Sequence, residues 1–322
     1  MRGSMIRGSS ALPARFAALA LALAGACAHP TAPGPTADAA PARLWIGGDV
    51  YLGTGGNGAL AGVASIVGGA PGVINLEGPV GEVAAPGDTA SAGPPAIRLV
   101  QARGALAELR AAGVAVAGIA NNHARDAGPG GGAATLRALV AAGVQAAGGP
   151  AGAATITLGR LRIVVTAHDL EAGVPATLGA ELAAARRRGD VLVATFHVTG
   201  PPSYLPRPEL VDAVAIALDA GAAVIAAHGT HELARVERRG RAVIAWGLGN
   251  LAFACACTDE PSGALLDVTL GPDGAGEAAV IPIDAGLGGT AARAAGDPAL
   301  TFELLEALGS TKLRRRGDRA AL

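Results

Sequence analysis

Seven side chains able to hold or move charge recur at one kind of position. Asp49, Glu77, Asn122, His123, His197, His228 and His231 each follow an apolar run that reads as a strand. In α/β folds, ligands bind outside the carboxyl ends of strands. Counting His168, five of the six histidines fall at such ends. Carboxylate, amide and imidazole donors together suit Mn, Fe or Zn. A bridging carboxylate can hold two such ions about 3.5–4 Å apart. Two ions would polarise a phosphoryl or acyl oxygen and deprotonate a bridging water. Asn122 can ligate without adding charge, and His123 beside it can protonate a leaving group. Taken alone, Asn121-Asn122-His123 also reads as two turn residues and a polar loop residue. The other strand-end groups set the triplet apart.

The elements that must position these groups follow one repeated design. Arg43 to Asp49 and Val73 to Gly78 each run as an apolar strand into a carboxylate beside glycine. Ala59 to Val67 reads as a short helix between them. Residues 79 to 97 form a Gly/Pro-rich loop carrying Glu82 and Asp88, long enough to be functional or mobile. Helical spacing returns over Arg98 to Ala112, with Gly113 as its stop. The strand Val114 to Ile119 leads into the Asn121 loop with Asp126 and Gly128. A helix bearing Leu136, Leu139 and Val140 then runs to Gly143. Strands over Arg160–Ala167, Asp190–Phe196, Ala222–Ala227 and Arg241–Trp246 follow, with a helix at Pro208–Ala220. Gly263–Leu270 and Ala278–Ile283 read as closing strands with antiparallel pairing. The alternation predicts a layered α/β fold.

Composition narrows the function classes. A formal net charge of −1 gives no reason to expect a nucleic-acid partner, and 2% aromatic content argues against stacking platforms for bases or sugars. Arg2, Arg7 and Arg15 followed by the apolar run Phe16–Ala24 form an export signal over residues 1–27, too short to span a bilayer. Ala24-Gly25-Ala26-Cys27 resembles a lipoprotein cleavage site, although such signals usually carry leucine where Ala24 stands. Lipidation would then fall on Cys27; the alternative is an ordinary cleaved signal. Residues 28–42 read as a Pro/Ala-rich tether. A main domain over residues 43–285 and a helical tail over 286–322 complete the expected organisation. Arg186–Arg188 and Lys312–Arg319 read as solvated charge. Cys255 and Cys257, two residues apart, would make a strained disulfide, so they read as small, partly buried apolar residues, with a metal role as the alternative.

The motifs together resemble the CapA family of capsule or poly-γ-glutamate synthesis proteins, built on a calcineurin-like metallophosphatase scaffold. The resemblance rests on Gly48-Asp49, Asn75-Leu76-Glu77-Gly78, Ala120-Asn121-Asn122-His123 with Asp126 and Gly128, His197 with Gly200 and Tyr204, His228 with His231, and Leu248-Gly249-Asn250. They stand in the family's order from about Arg43 to Asp284. The resemblance implies a four-layer α-β-β-α sandwich. It implies metal ligation by Asp49, Glu77, Asn122, His197, His228 and His231, with His123 as catalytic acid. Asn121, Tyr204 and Asn250 are its expected substrate contacts. Two departures bear on substrate choice. The family's His-Trp-Gly-x-Glu-Tyr is here His197-Val198-Thr199-Gly200-Pro201-Pro202-Ser203-Tyr204, without the tryptophan and glutamate, and Thr230 stands where proline is usual. His168 matches no family ligand and reads as a capped strand-end residue.

Two functions fit these residues. One is a hydrolase of the cell envelope carrying two divalent ions, acting on a phosphoester or a polyglutamate amide. The other is a non-catalytic factor that assembles or exports an anionic polymer. Both place the protein outside the cytoplasm, held to the membrane through Cys27. One acyl chain alone binds membranes only marginally, so firm attachment needs more than one on Cys27. Metabolic labelling with a fatty-acid analogue should mark the wild-type protein and not Cys27→Ser; equal labelling of both excludes the anchor.

Overall fold

The computed structural model describes residues 42–55, 58–81 and 97–322. The signal segment, Cys27, the tether up to residue 41 and most of the 79–97 loop, with Glu82 and Asp88, lie outside the described residues. The chain divides into two units, residues 1–38 and 39–322. The second carries everything that follows.

Its strands in chain order are β1 Ala42–Tyr51, β2 Gly72–Leu76, β3 Val114–Gly118, β4 Gln145–Ala147, β5 Ala154–Leu158, β6 Leu161–Asp169, β7 Val191–His197, β8 Ala222–His228, β9 Val236–Arg239 and β10 Ala242–Ala245. β11 Asn250–Phe253, β12 Ser262–Gly271, β13 Gly274–Asp284, β14 Gly286–Leu287, β15 Arg293–Ala294, β16 Arg314–Arg316 and β17 Arg319–Ala321 follow. The helices are α1 Val63–Ile66, α2 Leu106–Ala111, α3 Gly131–Ala142, α4 Leu178–Ala185, α5 Pro208–Asp219 and α6 Pro298–Ala307.

The strands form two sheets. The larger runs β16-β17-β13-β12-β1-β2-β3-β4, with β11 joined to β1; the smaller runs β5-β6-β7-β8-β10-β9. The smaller is parallel at its centre and antiparallel at both edges, whereas the larger is parallel from β1 through β4 and antiparallel from β1 through β16. Side chains alternate across each strand, so one strand feeds two different cores. Leu44 and Ile46 of β1 meet Val193 of β7, Val224 and Ala226 of β8 and Val243 of β10 between the sheets. Trp45 and Ile74 instead meet Leu60, Val63, Leu109 and Leu139 under α1, α2 and α3. Phe196 and Ile225 face Leu182, Leu210 and Val214 of α4 and α5. Three cores separate four layers, the α-β-β-α order expected. The near-continuous apolar runs of β7 and β8 are those of strands buried on both faces.

Local signals explain where the elements stop. α3 ends at Gly143 in the left-handed region, φ 74°, and α5 begins with Pro208 in its first turn. Four expectations change. The helix expected over Arg98–Ala112 is a 3₁₀ turn followed by a single α-helical stretch from Leu106, and the one over Ala59–Val67 shrinks to Val63–Ile66. Val140 is exposed, since Ala138 and Leu139 already fill the face of α3 that meets the sheet. The C-terminal segment is not purely helical. After α6 it closes a hairpin, β16–β17, that pairs with β13, and Phe302, Leu305, Leu313 and Ala320 join the inter-sheet core.

The indole of Trp45 is fully buried and donates from Nε1 to the Ala70 carbonyl at 2.9 Å. A Cβ on Gly72 would lie 2.1 Å from its ring. Gly72→Ala should therefore force the indole or β2 to move, at a cost of about 1–3 kcal/mol. Denaturant unfolding against wild type checks it; an unchanged midpoint would show that the ring has room.

Candidate functional site

The carboxyl ends of the central strands of both sheets meet at one place, and strand register puts the polar groups side by side. Asp49 is paired with Asn75 on β2 and with Asn250 on β11. In the other sheet, Asp169, His197 and His228 are successive neighbours across β6, β7 and β8. Asp49 and Glu77 are each 1% exposed, while His197 and His228 are 3% and 5% exposed. Charged groups this deep require partners.

Those partners are one another. Nδ2 of Asn75 donates to Asp49 Oδ1 at 2.8 Å and also to Glu77 Oε2, tying the two carboxylates together. Nε2 of His197 lies 3.2 Å from Glu77 Oε1, and its Nδ1 lies 3.7 Å from Asp169 Oδ1. His228 Nδ1 is 3.6 Å from Asp49 Oδ1, and His231 Nδ1 is 3.4 Å from Asp49 Oδ2. The Gly229 amide donates to the same Oδ2 at 2.9 Å. Gly229 has φ 92°, and a Cβ there would sit 2.5 Å from His197 Nε2. His231 is the only non-glycine residue with positive φ among the described residues, at 60°. That conformation costs about 1–3 kcal/mol and persists because Asp49 and Asn250 hold the ring.

Ionisation follows from these contacts. Burial would raise the Asp49 pKa, but His231, His228 and His197 hold its carboxyl below the usual carboxylate range. Burial opposes a charge on His197, yet Glu77, Asp169 and Asp49 push its pKa up to about 10. His231 is also raised, by Asp49 and Glu77 against burial. His228 is pushed down, by burial first and by the charge of His197 after it.

Each expected site residue has a definite place. Asp49, Glu77, His197 and His228 converge as one buried cluster, with His231 at its partly exposed rim. Asn122 lies in the adjoining loop, its Oδ1 buried without a hydrogen-bond partner among the described residues. It lines a groove of about 800 Å³ together with Asn121, Arg125 and Asp169. His123 is held by Asp126, Nδ1 to Oδ2 at 2.7 Å, and that same oxygen accepts from the Leu99 amide. Asn121 and Asn250 are not free for substrate. Asn121 is buried and spends its amide on Asn75, Leu76 and Gly78, while Asn250 is fully buried against His231 and Thr258. Both are pins of the loops they hold, because their strand-end positions put them beneath the cluster. Tyr204 is exposed, and its hydroxyl pKa is raised first by the charge of Glu232. His168 turns away from the cluster toward Phe196 and Glu181, as alternation along β6 requires. Cys255 and Cys257 are joined to each other, a correction to the apolar reading: the turn after β11 brings their Cα atoms to 5.2 Å, within disulfide range.

Asn75 and Asp169 belong to the site although sequence reasoning gave neither a role. Their signals were available: Asn75 precedes Glu77 by two residues, the period of a strand face, and Asp169 ends β6 as His197 ends β7.

Among the described residues no group of three His, Cys, Asp or Glu side chains is arranged to hold a metal ion as it stands. The carboxylates and imidazoles lie directly against each other instead. Even so, the donor set suits a divalent ion. Both ring nitrogens of His228, and Asn122 Oδ1, are buried without a hydrogen bond.

Two sheets with helices outside and a buried carboxylate–imidazole cluster where parallel strands end define a layered α/β protein. The chain belongs to the family of bacterial capsule synthesis proteins described as PGA_cap, whose model matches residues 58–254. Asp49 lies before that span, so its place rests on the register with Asn75. A hypothetical protein from Thermus thermophilus shares the fold, with TM-score 0.51 and 13% identity over 76% of this chain and 99% of that one. A putative 5'-nucleotidase from Staphylococcus aureus, in complex with alpha-ketoglutarate, aligns at TM-score 0.44 and 9% identity over 83% of this chain and 57% of that one. Comparison with curated proteins gives no match.

The pKa shifts predict a pH dependence of stability in the metal-free protein. The His197 contribution is complete below about pH 6.5 and is lost as pH rises toward its folded value of about 10. The Asp49 contribution is complete above its ordinary value of 3.8 and is lost below it. Glu77→Gln removes the strongest support for the His197 charge, so its stability should fall less steeply than that of wild type between pH 6.5 and 10. Thermal unfolding in chelator measures both slopes; equal slopes would show that Glu77 does not hold that proton.

Proposed function

We propose that the protein is a metal-dependent hydrolase of the bacterial envelope. It acts in synthesis of capsule or a related anionic exopolymer, on a phosphoester or a polyglutamate amide. The observation that carries this reading is the set of buried atoms without hydrogen-bond partners on His228 and Asn122, beside the buried carboxylates Asp49 and Glu77. Burying such atoms unsatisfied costs about 1–3 kcal/mol each, which a bound ion would offset. Asp49, Glu77, Asn122, His197, His228 and His231 would hold one or two ions of Mn, Fe or Zn. Such ions supply Lewis-acid polarisation and an activated water.

The chain's own groups do the rest. Asn75 keeps the two carboxylates at fixed spacing. Asp126 holds Nδ1 of His123 and fixes the ring, so that the imidazolium form has Nε2 left to give a proton to a leaving oxygen or nitrogen. The groove beside it carries the exposed guanidinium of Arg125, suited to a carboxylate or phosphate of an anionic chain. The family's capsule role and the expected anchor on Cys27 support placement in the envelope.

The second reading, a non-catalytic assembly factor, draws on the direct ion pairs of the cluster and on the missing glutamate before Tyr204. One experiment separates the two. Protein loaded with Mn, Fe or Zn should hold about one to two equivalents, with affinity falling as pH drops and the imidazoles protonate. His228→Ala should lower metal content, with activity following it. His123→Ala should keep the metal and lose about 10²–10⁴-fold in turnover. Unchanged turnover in His123→Ala excludes its acid role; no bound metal and no hydrolysis of either substrate class in wild type leaves the assembly factor.

A further inference from the structure

Away from the cluster, a second cavity of about 490 Å³ opens beside the amino-terminal end of β1, between β12, β13 and the β16–β17 hairpin. Arg43, Arg314, Arg316 and Arg319 line it, against Asp267 and Glu277. Asp267 is already committed. Arg43 holds it through two bonds of 2.8 and 2.7 Å, and Arg319 adds a third contact at 3.4 Å. Glu277 is exposed and makes no ion pair among the described residues. Arg314 reaches only an oxygen of the terminal Leu322 at 3.4 Å, and the Arg316 side chain has no partner among the described residues. Arg238 packs close enough to Arg314 for its proton to be held less firmly, through burial first and that repulsion second. Arg319 also meets Asp318 at 3.5 Å. Counting Arg238, five arginines gather here against Asp267, Glu277, Asp318 and the Leu322 terminus. Gathered like charges repel one another, and an anion bound from outside relieves that repulsion.

Position decides which anion. Arg43 and Asp49 stand at opposite ends of β1, on the order of 20 Å apart at 3.3 Å per residue. The chain enters the fold at Ala42, beside the cavity, so this end carries the connection to Cys27. Fifteen residues span at most about 50 Å. A cationic face at that end and a substrate groove at the other suit a protein lying on an anionic surface with its site turned outward.

We propose that the Arg43–Arg314–Arg316–Arg319 face binds the phosphate headgroups of anionic membrane lipids and orients the site away from the bilayer. It acts independently of acylation and of hydrolysis, so it stands or falls apart from the function proposed above. The folded unit from Ala39 onward contains all three cores and lacks both Cys27 and the apolar signal, so it isolates this face.

Sedimentation with vesicles tests it. The unit should pellet with phosphatidylcholine–phosphatidylglycerol vesicles, not with phosphatidylcholine alone, and should be released by salt. Arg314→Gln with Arg316→Gln should lower partitioning about 30-fold, from roughly 1 kcal/mol per arginine. The corresponding double lysine variant should restore most of it. Both arginines are exposed strand residues, and equal unfolding midpoints confirm that the variants fold. Equal pelleting with neutral vesicles, no loss in the glutamine variant, or binding of soluble pyrophosphate or polyglutamate without vesicle binding would each overturn the proposal.

Discussion

Two carboxylates buried at the junction of two sheets set the terms for this structure. Asp49 and Glu77 are almost wholly removed from water, and a lone buried carboxylate costs several kcal/mol. The chain meets that cost with three imidazoles, one bridging amide and one backbone amide. Apart from the Asn75 bond to Glu77, two residues further along the same segment, each comes from a different segment than the group it serves. His228 and His231 arrive from the second sheet, and Asn75 from the next strand. Closing the sheets over one another and neutralising the cluster are therefore the same event. Removing one member leaves its partner buried and unpaired, which costs more than the contact itself contributed.

Glycine and backbone geometry permit the closeness. A Cβ on Gly48 would strike the Gly249 carbonyl at 1.9 Å, the approach through which Asp49 N donates to Gly249. Gly229 lets its amide reach Asp49 while the His197 ring packs over it. The left-handed His231 is the counterpart for a residue that must keep its side chain. Strain and small residues gather where function is proposed, while the rest of each strand is ordinary packed β-structure.

The same buried pairing bears on metal binding. Ion pairs among Asp49, Glu77, His197 and His231 neutralise the site in the absence of an ion, and a metal would have to displace the protons that these pairs favour. His228 differs, since burial and the neighbouring charge keep its imidazole neutral. It is the member already in the protonation state that ligation needs. Beyond the cluster, polarity is divided along β1, with carboxylates at the site end and arginines at the end where the chain enters.

Period and punctuation make much of this legible in the chain itself. Apolar runs ending in Asp49, Glu77, His197 and His228 mark strand ends, because alternation and turn residues are local properties. The motif order is enough to identify the family. Sequence also locates α3 and α5 through Gly143 and Pro208, whose backbone preferences act within a turn. It does not resolve β4, β5 or β9, which are short, edge-lying and half polar. Nor does it show that Asn121, expected to touch substrate, is spent on Asn75, Leu76 and Gly78, while the Asn122 oxygen beside it keeps no hydrogen-bond partner; only packing decides that. Asn250 reads as a substrate contact until burial against His231 makes it a support. The hairpin after α6 is hidden because pairing with β13 depends on a partner dozens of residues away. Residue types and their strand-end positions are encoded locally; which face each side chain takes and which charges meet depend on long-range register, and that exists only once the two sheets have packed.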